Sequence, residues 1–445
     1  MSVAMLTVIL AVMIVRAPAL PLLLVGAVVA ILVFGGRPRL SLVIWMVAVA
    51  FIPHWVGINL IGYIPIVSVI SAAILAANLF NGQWKSGKGD LPILLLIVIG
   101  LIAVAIGNSS QGVWFSMISQ WLLAYLVGKA IVSAAGIGFS VKTVAAVFGL
   151  VGVLSVVEFA FSWHPFVELV TPIPSYETWA PIQVRGGLDR SEWSMGHSIA
   201  LGGVLSAAVP FALRSSLGKL SKPLLLIAIF AGIACTFSRA AIISAVLTLA
   251  LSLLFMRGVK PALRFMLLIV IGAAGFVGLM ILVPIFELAS LETAGSSSYR
   301  LRMFVELIPE LSALGRSDVA SVGADGTVYY GTFQSIDSAF LAVALGFGWI
   351  AALVMLVPFV IMSIRTVRRT ATTGEIALVG QLPMLFTVAL ITQYQLVLWF
   401  FVGIAVAEFR VRAKAVDGAS KDSSGYRARL GVTYASPVRA RAITR

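Results

Sequence analysis

Four side chains of this chain stand out by type and setting. They are Arg185 and His197, both in PIQVRGGLDRSEWSMGHSIALGG, Arg239 in CTFSRAAIISAVLTLAL, and Asp337 in GTFQSIDSAFLAVALGFGWIAAL. A guanidinium is a permanently charged, forked donor suited to phosphate oxygens. An imidazole accepts or relays a proton near neutral pH, and a carboxylate orients or deprotonates a hydroxyl. Together these types describe a site that holds an anion and moves a proton.

Each residue also has a plainer reading. Arg239 either binds an anion or lies at a membrane interface, paired with a loop carboxylate. Arg185 precedes Gly186 and Gly187, a pair that lets backbone approach a ligand closely. Arg190 reads more simply as the partner of Asp189 or Glu192 in a solvated loop. His197 either relays a proton or is a hydrogen-bonded interfacial histidine. Asp337 either acts on a hydroxyl or caps the helix that follows it. The single cysteine, Cys235, and the three histidines, His54, His164 and His197, give no basis for a disulfide, an Fe–S cluster or a His-rich metal site. Walker A, HExxH and dinucleotide-binding patterns are absent, so ATP hydrolysis and a zinc protease mechanism have no sequence support and no cofactor is expected.

The elements that must position these residues follow from composition. The 445 residues are 60% hydrophobic and 11% charged, with a mean hydropathy of +1.08. Soluble domains are about 45–50% apolar and about 25% charged, so the chain cannot cover its own surface in water. About 20 apolar residues span a bilayer as a helix, and apolar segments fall near 2–15, 18–35, 40–54, 57–80, 91–108, 113–137, 140–161, 194–213, 222–237, 240–257, 264–286, 337–362, 374–391 and 394–409. An all-α polytopic membrane protein of about 12–14 transmembrane helices is expected. The N-terminal stretch lacks a charged leading region and a clear cleavage site, and reads as a retained helix rather than a signal peptide.

Charge gives the orientation. The net charge is +14. Arg37/Arg39, Lys85/Lys88, Arg214/Lys219/Lys222, Arg257/Lys260/Arg264 and Arg365/Arg368/Arg369 share one side if the segments alternate, and so does the tail. The positive-inside rule then places both termini in the cytoplasm of a multi-pass protein of the cytoplasmic membrane. This distribution explains the basic balance without nucleic acid. Residues 410–445 carry nine basic side chains and two acids, the composition of a disordered cytoplasmic tail drawn to anionic lipid. Eleven of the seventeen acids lie in or at the edge of two long outer connections, 162–193 and 287–336. These divide the chain into N-terminal membrane helices (1–161), central helices with the Ser-Arg motif (194–286) and C-terminal helices (337–409).

In the second connection, Leu301, Phe304, Val305, Ile308 and Leu311 recur at helical spacing, with Arg300, Arg302, Glu306 and Glu310 off that face. An amphipathic helix is expected there. Arg300 and Arg302 are additional substrate-binding candidates. Lys129 and Lys142 are expected to snorkel to the cytoplasmic side, whereas Glu158, deeper in its segment, needs an internal partner.

The stretch from about Val184 to about Ala352 resembles the O-antigen ligase and polymerase superfamily, membrane glycosyltransferases that use polyprenyl-diphosphate-linked sugars. The resemblance rests on VRGGLDRSEWSMGHSIALGG, TFSRAAIISAVLTLAL, SIDSAFLAVALGFGWIAAL and the long loop before the last of these. It implies that Arg185 and Arg239 bind the donor diphosphate. Asp337-Ser338-Ala339-Phe340-Leu341 is a loose version of a pattern seen in polymerase-like members, whereas ligases carry a histidine there, and Gly196-His197-Ser198-Ile199 departs from the usual Gly-His-Pro-Asn. The implied activity is polymerisation of undecaprenyl-diphosphate-linked repeat units in cell-envelope polysaccharide biosynthesis, with Asp337 and supporting His197 as catalytic groups and no metal required. Ligase-like transfer of a finished glycan to a lipid or cell-wall acceptor is the close alternative, and a secondary transporter or flippase the alternative of another class. A chain-length regulator or a flippase is a further implied partner.

Overall fold

Within lipid, every backbone N–H and C=O must be satisfied inside its own segment, so apolar stretches become helices. The structure is a computed structural model of the chain that describes residues 26, 29–59, 62–79, 86–218, 220–256, 261, 264–265, 290–322 and 328–429. The expected segment 2–15, residues 266–286 of the segment 264–286, and much of 18–35 lie outside the described residues.

In chain order the described elements are α1 (Pro38–Phe51), the hairpin β1–β2 (Gly57–Asn59, Tyr63–Pro65), α2 (Ile66–Ala77), α3 (Leu91–Ala105), α4 (Gln111–Ala135) and α5 (Ile137–Phe161). After α6 (Pro174–Trp179) and the hairpin β3–β4 (Val184–Arg185, Leu188–Asp189) come α7 (Ser198–Arg214), α8 (Ser221–Cys235) and α9 (Arg239–Phe255). Then follow α10 (Ser290–Leu307), the hairpin β5–β6 (Ala320–Val322, Val328–Tyr330), α11 (Ala339–Phe347), α12 (Trp349–Val367), α13 (Thr373–Val379), α14 (Leu382–Thr387) and α15 (Thr392–Arg429). The three hairpins are antiparallel and separate from one another. Among the described residues, four helices are long and apolar enough to cross a membrane: Lys88–Ala105, Gln111–Ala135, Ile137–Phe161 and Trp349–Val367. The protein is therefore a largely helical, multi-pass membrane protein.

Two expected spans are interrupted. Segment 337–362 divides into α11 and α12 at Gly348, whose φ of +95° suits glycine and where a Cβ would strike the carbonyl oxygen of Ala313. Segment 374–391 divides into α13 and α14 between Gly380, which packs directly on Thr248, and Pro383. The break is satisfied by a buried amide: Gln381 Nε2 donates to Ser206 Oγ at 3.0 Å, and Tyr394 Oη donates to Gln381 Oε1 at 3.1 Å. Hydropathy averages over such breaks because the residues on both sides stay apolar. Segment 57–80 begins as a hairpin rather than a helix, and α15 runs to Arg429, past the point where composition predicts a disordered tail.

Helix α7 occupies the centre, packed by α5, α8, α9, α13 and α15. Every residue from Ala200 to Leu213 is buried, as expected of a helix that is apolar all round. Its Gly202 lets Ala241 of α9 press against it, which sets the start of α9 beside the start of α7. By contrast, α3 and α12 turn large apolar side chains outward, among them Leu94, Val98, Leu101, Val357, Val360 and Ile364. In a membrane protein that surface meets lipid.

Basic residues gather at one end of the bundle. Arg39 Nε reaches the Ala135 carbonyl at 3.4 Å, Arg214 Nη1 donates to Thr373 Oγ1 at 3.1 Å, Arg365 pairs with Glu375 at 2.7 Å and Arg412 donates to the Ala371 carbonyl at 2.8 Å. Lys129 corrects the sequence expectation. It is buried rather than snorkelling, because Asp90 accepts it at 2.7 Å and also binds Arg410 at 2.8 Å and the Tyr125 hydroxyl.

Candidate functional site

The opposite end of the bundle carries the arginines. Arg185 lies in β3, one residue before the left-handed Gly186–Gly187 turn that closes the hairpin. Its Nη1 donates to the Phe237 carbonyl at 2.7 Å. Arg190, just past β4, is buried, donating from Nε to the Thr236 carbonyl at 2.7 Å and from Nη1 to Gln183 Oε1 at 3.1 Å. Arg239 opens α9, where Ser238 caps by accepting the amide of Ala241 at 3.3 Å. Arg185 and Arg190 thus hold consecutive carbonyls of the turn that leads into Arg239. Phe237 there has a φ of +47°, rare for a side chain of its size, and such a backbone persists only where surrounding contacts hold it. Here the two arginines hold its carbonyl and that of its neighbour. Arg190, expected to pair in a solvated loop, is instead built into this turn.

A second group of ionisable side chains borders the first. Glu158, one turn from the end of α5, is buried and accepts the Trp193 amide with both oxygens, at 3.2 and 2.9 Å. Trp193 sits at φ +46° and depends on that contact. Glu158 Oε1 also meets His164 Nδ1 at 3.0 Å, and His164 Nε2 lies 4.0 Å from Asp189 Oδ2 in β4. Glu192 is buried and accepts the Gln183 amide at 3.0 Å. The rings of Phe159 and Phe237, 5.4 Å apart, join this group to the arginine turn.

These environments move the proton affinities. Burial pushes the Glu192 carboxyl up to about 7, with Glu158 adding repulsion and Arg190 opposing it. The hydrogen bond to Glu158 raises the His164 imidazole above its ordinary value. For Glu192 the folded state binds its proton more tightly than the unfolded state, so its effect on stability turns unfavourable as pH rises from about 4.5 to about 7. Glu192→Gln is therefore expected to gain thermal stability relative to the wild type at pH 8 and little at pH 5. Unfolding curves in detergent at both pH values measure this, and an equal difference at the two would rule it out.

His197 caps α7: its Nδ1 accepts the amide of Ile199 at 3.0 Å. Burial, with Arg190 nearby, pulls its pKa down to about 3. The ring is neutral at physiological pH, with its remaining N–H on Nε2. Trp179 stands edge-on between His197 and the buried His54, at 6.2 and 6.5 Å. His197 therefore supports the geometry beside Arg190 and is a weak base.

Asp337 belongs to another cluster, on the large connection. Arg300 Nε lies 3.5 Å from its Oδ2, Ser335 Oγ donates to its Oδ1 at 3.0 Å, and Tyr299 Oη donates to the Ser335 carbonyl at 2.7 Å. The cap of α11 is Ser338, which accepts the Leu341 amide at 3.3 Å, so the capping role falls to the neighbouring serine. Arg302 pairs with Glu306 on its own helix at 3.1 Å and is well exposed. The seated face of α10 is Met303 and Leu307, against Phe333, Ile336, Leu341 and Leu345. Of the residues expected on the apolar face, Leu301, Val305 and Ile308 point outward. Ser338 also donates to the Leu385 carbonyl of α14 at 3.4 Å, and α14 packs on α9, so one short helix lies between the elements that carry Asp337 and Arg239.

Beside α11 is a cavity of about 180 Å³, lined by Met117, Trp121, Val343, Phe347, Leu390 and Gln395 among others. Its wall includes the π-helical stretch Met117–Leu122 of α4. Among the described residues, no group of three or more His, Cys, Asp or Glu side chains is placed to hold a metal ion.

No family model, curated protein or solved structure matches the chain. The functional reading therefore stands on the site itself.

Of the predicted residues, Arg185 and Arg190 reach the turn that precedes Arg239, His197 lies near Arg190, and Arg300 joins Asp337. Sequence reasoning missed His164 and Glu192 as members of the site. The acid inside an apolar segment, Glu158, was the available signal, since its obligatory partner had to come from a neighbouring loop.

Proposed function

We propose that the protein is a membrane glycosyltransferase that polymerises lipid-diphosphate-linked oligosaccharide repeat units on the outer face of the cytoplasmic membrane. The observation that carries this reading is that Arg185 and Arg190 are anchored on consecutive carbonyls of the turn that leads into Arg239, at the end of the bundle opposite the basic connections. Positive-inside bias gives no reason to gather arginines there. An anion at the membrane surface does, and the diphosphate of a polyprenyl-linked sugar lies at that depth. The turn also opens α9, whose N-terminal dipole and amides favour negative charge. In this reading twelve to fourteen helices cross the membrane and both termini are cytoplasmic.

The reaction follows from the donor. An acceptor sugar hydroxyl attacks the anomeric carbon, the bond from that carbon to the diphosphate oxygen breaks, and the polyprenyl diphosphate leaves with the electron pair. Its growing charge is met by Arg239 together with Arg185 and Arg190, whose planes are fixed by carbonyl contacts, so those two need little reorganisation during the step. Asp337, held by Arg300, positions the acceptor.

Incubation of the purified protein with lipid-linked repeat units tests the reading. A ladder of longer lipid-linked products is expected. A single transfer to a distinct lipid or cell-wall acceptor replaces polymerase by ligase, and absence of any glycan product from a lipid diphosphate donor rejects the enzyme.

A further inference from the structure

Helix α10 carries more apolar surface than its seat on the bundle uses. Its side chains from Tyr299 onward divide into three sectors. Met303 and Leu307 form the first, packed with Phe333 and Ile336 of the connection and with Leu341 and Leu345 of α11. Arg302 and Glu306, paired at 3.1 Å and both exposed, form the second. Leu301, Val305 and Ile308 form the third, spaced i, i+4, i+7 along one stripe. They are 67%, 65% and 54% exposed. With about 100° between successive residues, the three sectors lie roughly 100–150° from one another. A helix between protein and water needs one apolar and one polar sector. A second apolar sector, set apart from the charged pair, describes a helix that borders a third medium as well.

The position of α10 identifies that medium. Near its middle the helix is held at the start of α11, where Arg300 Nε meets Asp337 at 3.5 Å and Tyr299 Oη donates to the Ser335 carbonyl at 2.7 Å. The chain that follows it is stitched to the other end of α11 and to the start of α12. The Ser317 amide donates to the Leu345 carbonyl at 2.9 Å, that of Gly315 to Phe347 at 3.1 Å and that of Trp349 to Ser312 at 3.0 Å. From Tyr299 onward the chain therefore runs antiparallel to α11 and reaches the end of α12 opposite Arg365. Ser312 is only four residues past Ile308. At that end of α12 Trp349 and Ile350 are 43% and 38% exposed, followed by the outward Leu353 and Val357 of a helix long and apolar enough to cross the membrane. A tryptophan at the end of such a helix sits at the level of the lipid headgroups.

We propose that α10 is an interfacial anchor, with Leu301, Val305 and Ile308 set among the acyl chains of the adjacent leaflet, just below the headgroups, and Arg302 and Glu306 in water. The occupant of the stripe is bilayer lipid, because the surface it adjoins across the Trp349–Ser312 contact is the lipid-facing side of α12. The anchor also fixes the height of Asp337, whose carboxylate is held by Arg300 of the same helix. It holds whether or not the protein transfers sugars.

Full-length protein in phosphatidylcholine–phosphatidylglycerol vesicles tests the anchor. Cys235 is the only cysteine, so a Cys235→Ser background allows a single nitroxide to be attached through Leu301→Cys, Arg302→Cys, Val305→Cys, Glu306→Cys or Ile308→Cys. Power saturation then compares collision with oxygen, which partitions into lipid, and with a water-soluble nickel chelate. Oxygen is expected to exceed nickel severalfold at the three stripe positions, and the order to reverse at the charged pair. Nickel access at the stripe equal to that at the charged pair puts the stripe in water and overturns the proposal. Exclusion of both reagents from the stripe shows protein cover and also overturns it, with spin–spin broadening identifying a second copy of the chain. If one stripe variant does not fold, the other two carry the same comparison. Wild-type protein gives a measurement that needs no substitution: a carbene reagent dissolved in the bilayer is expected to label residues 301–308, and absence of label there overturns the proposal by itself.

Discussion

Arg239→Ala is expected to lose about 10²–10³-fold in transfer from a lipid diphosphate donor, the range seen when one preorganised donor to a developing anion is removed, while the protein still folds. The two halves of this expectation have separate physical causes. Arg239 opens α9, where a positive side chain opposes the helix dipole, so its removal does not weaken the helix. The cap comes from Ser238, which the substitution leaves in place. Unchanged thermal unfolding in the variant would assign the loss to the ligand rather than to the fold. Arg239→Lys keeps the charge but not the planar fork, and is expected to retain part of the activity. Product formation from a labelled lipid-linked donor, with thermal unfolding as a control, measures both variants. Undiminished transfer in a folded Arg239→Ala protein would remove the anion site from the mechanism.

At the other end of the bundle, Asp90→Ala is expected to destabilise the protein by about 3–5 kcal/mol, because removing one partner of a buried ion pair leaves the other charge in the interior. Asp90 and Lys129 are both buried, whereas Arg410 is partly exposed and can turn to water. Close packing of α4 on α15, with Gly128 against the Phe400 carbonyl and Gly403 against that of Tyr125, gives Lys129 little room to reach solvent. Asp90→Ala combined with Lys129→Met is expected to recover most of the loss, since the double variant leaves no unpaired charge at that pair. Thermal or denaturant unfolding in detergent measures the cycle. A single variant as stable as the wild type would show that water reaches Lys129. Activity of surviving folded protein should change little, because this network lies at the end of the bundle away from the arginine turn.

The distance between the two networks reflects how charge is placed in lipid. Asp90 neutralises two cations and ties α4 and α15 to the start of α3. At the arginine turn Arg185 and Arg190 are oriented by backbone carbonyls, with Glu192 close enough to Arg190 for each to feel the other's charge.

Legibility in the sequence divides along the same lines. The helical class follows from 60% apolar composition, because lipid offers the backbone no other partner than itself. The segments that became α3, α4 and α5 were visible as runs of spanning length, whereas α12 was read together with α11 as one run. Arg239 was visible because it breaks the charge pattern, and Glu158 because an acid inside an apolar run needs a partner. The breaks at Gly348 and Gly380 were not visible, since each depends on a neighbour distant in sequence, Ala313 in one case and Thr248 in the other. Likewise, periodicity marked one face of α10 as apolar, but packing seated Met303 and Leu307 and turned Leu301 and Val305 outward.

By itself, then, the sequence determined the solvent of this protein, the helical class, and the side chains too costly to leave unexplained, because each of these is set by local composition. Only the tertiary structure decided partnership. It gave Glu158 to His164 and Trp193, put Arg185 and Arg190 on consecutive carbonyls of the turn before Arg239, and placed Asp337 with Arg300. Partnership depends on which loops meet at the end of a helical bundle, and that is fixed by long-range packing around α7 that no local pattern encodes.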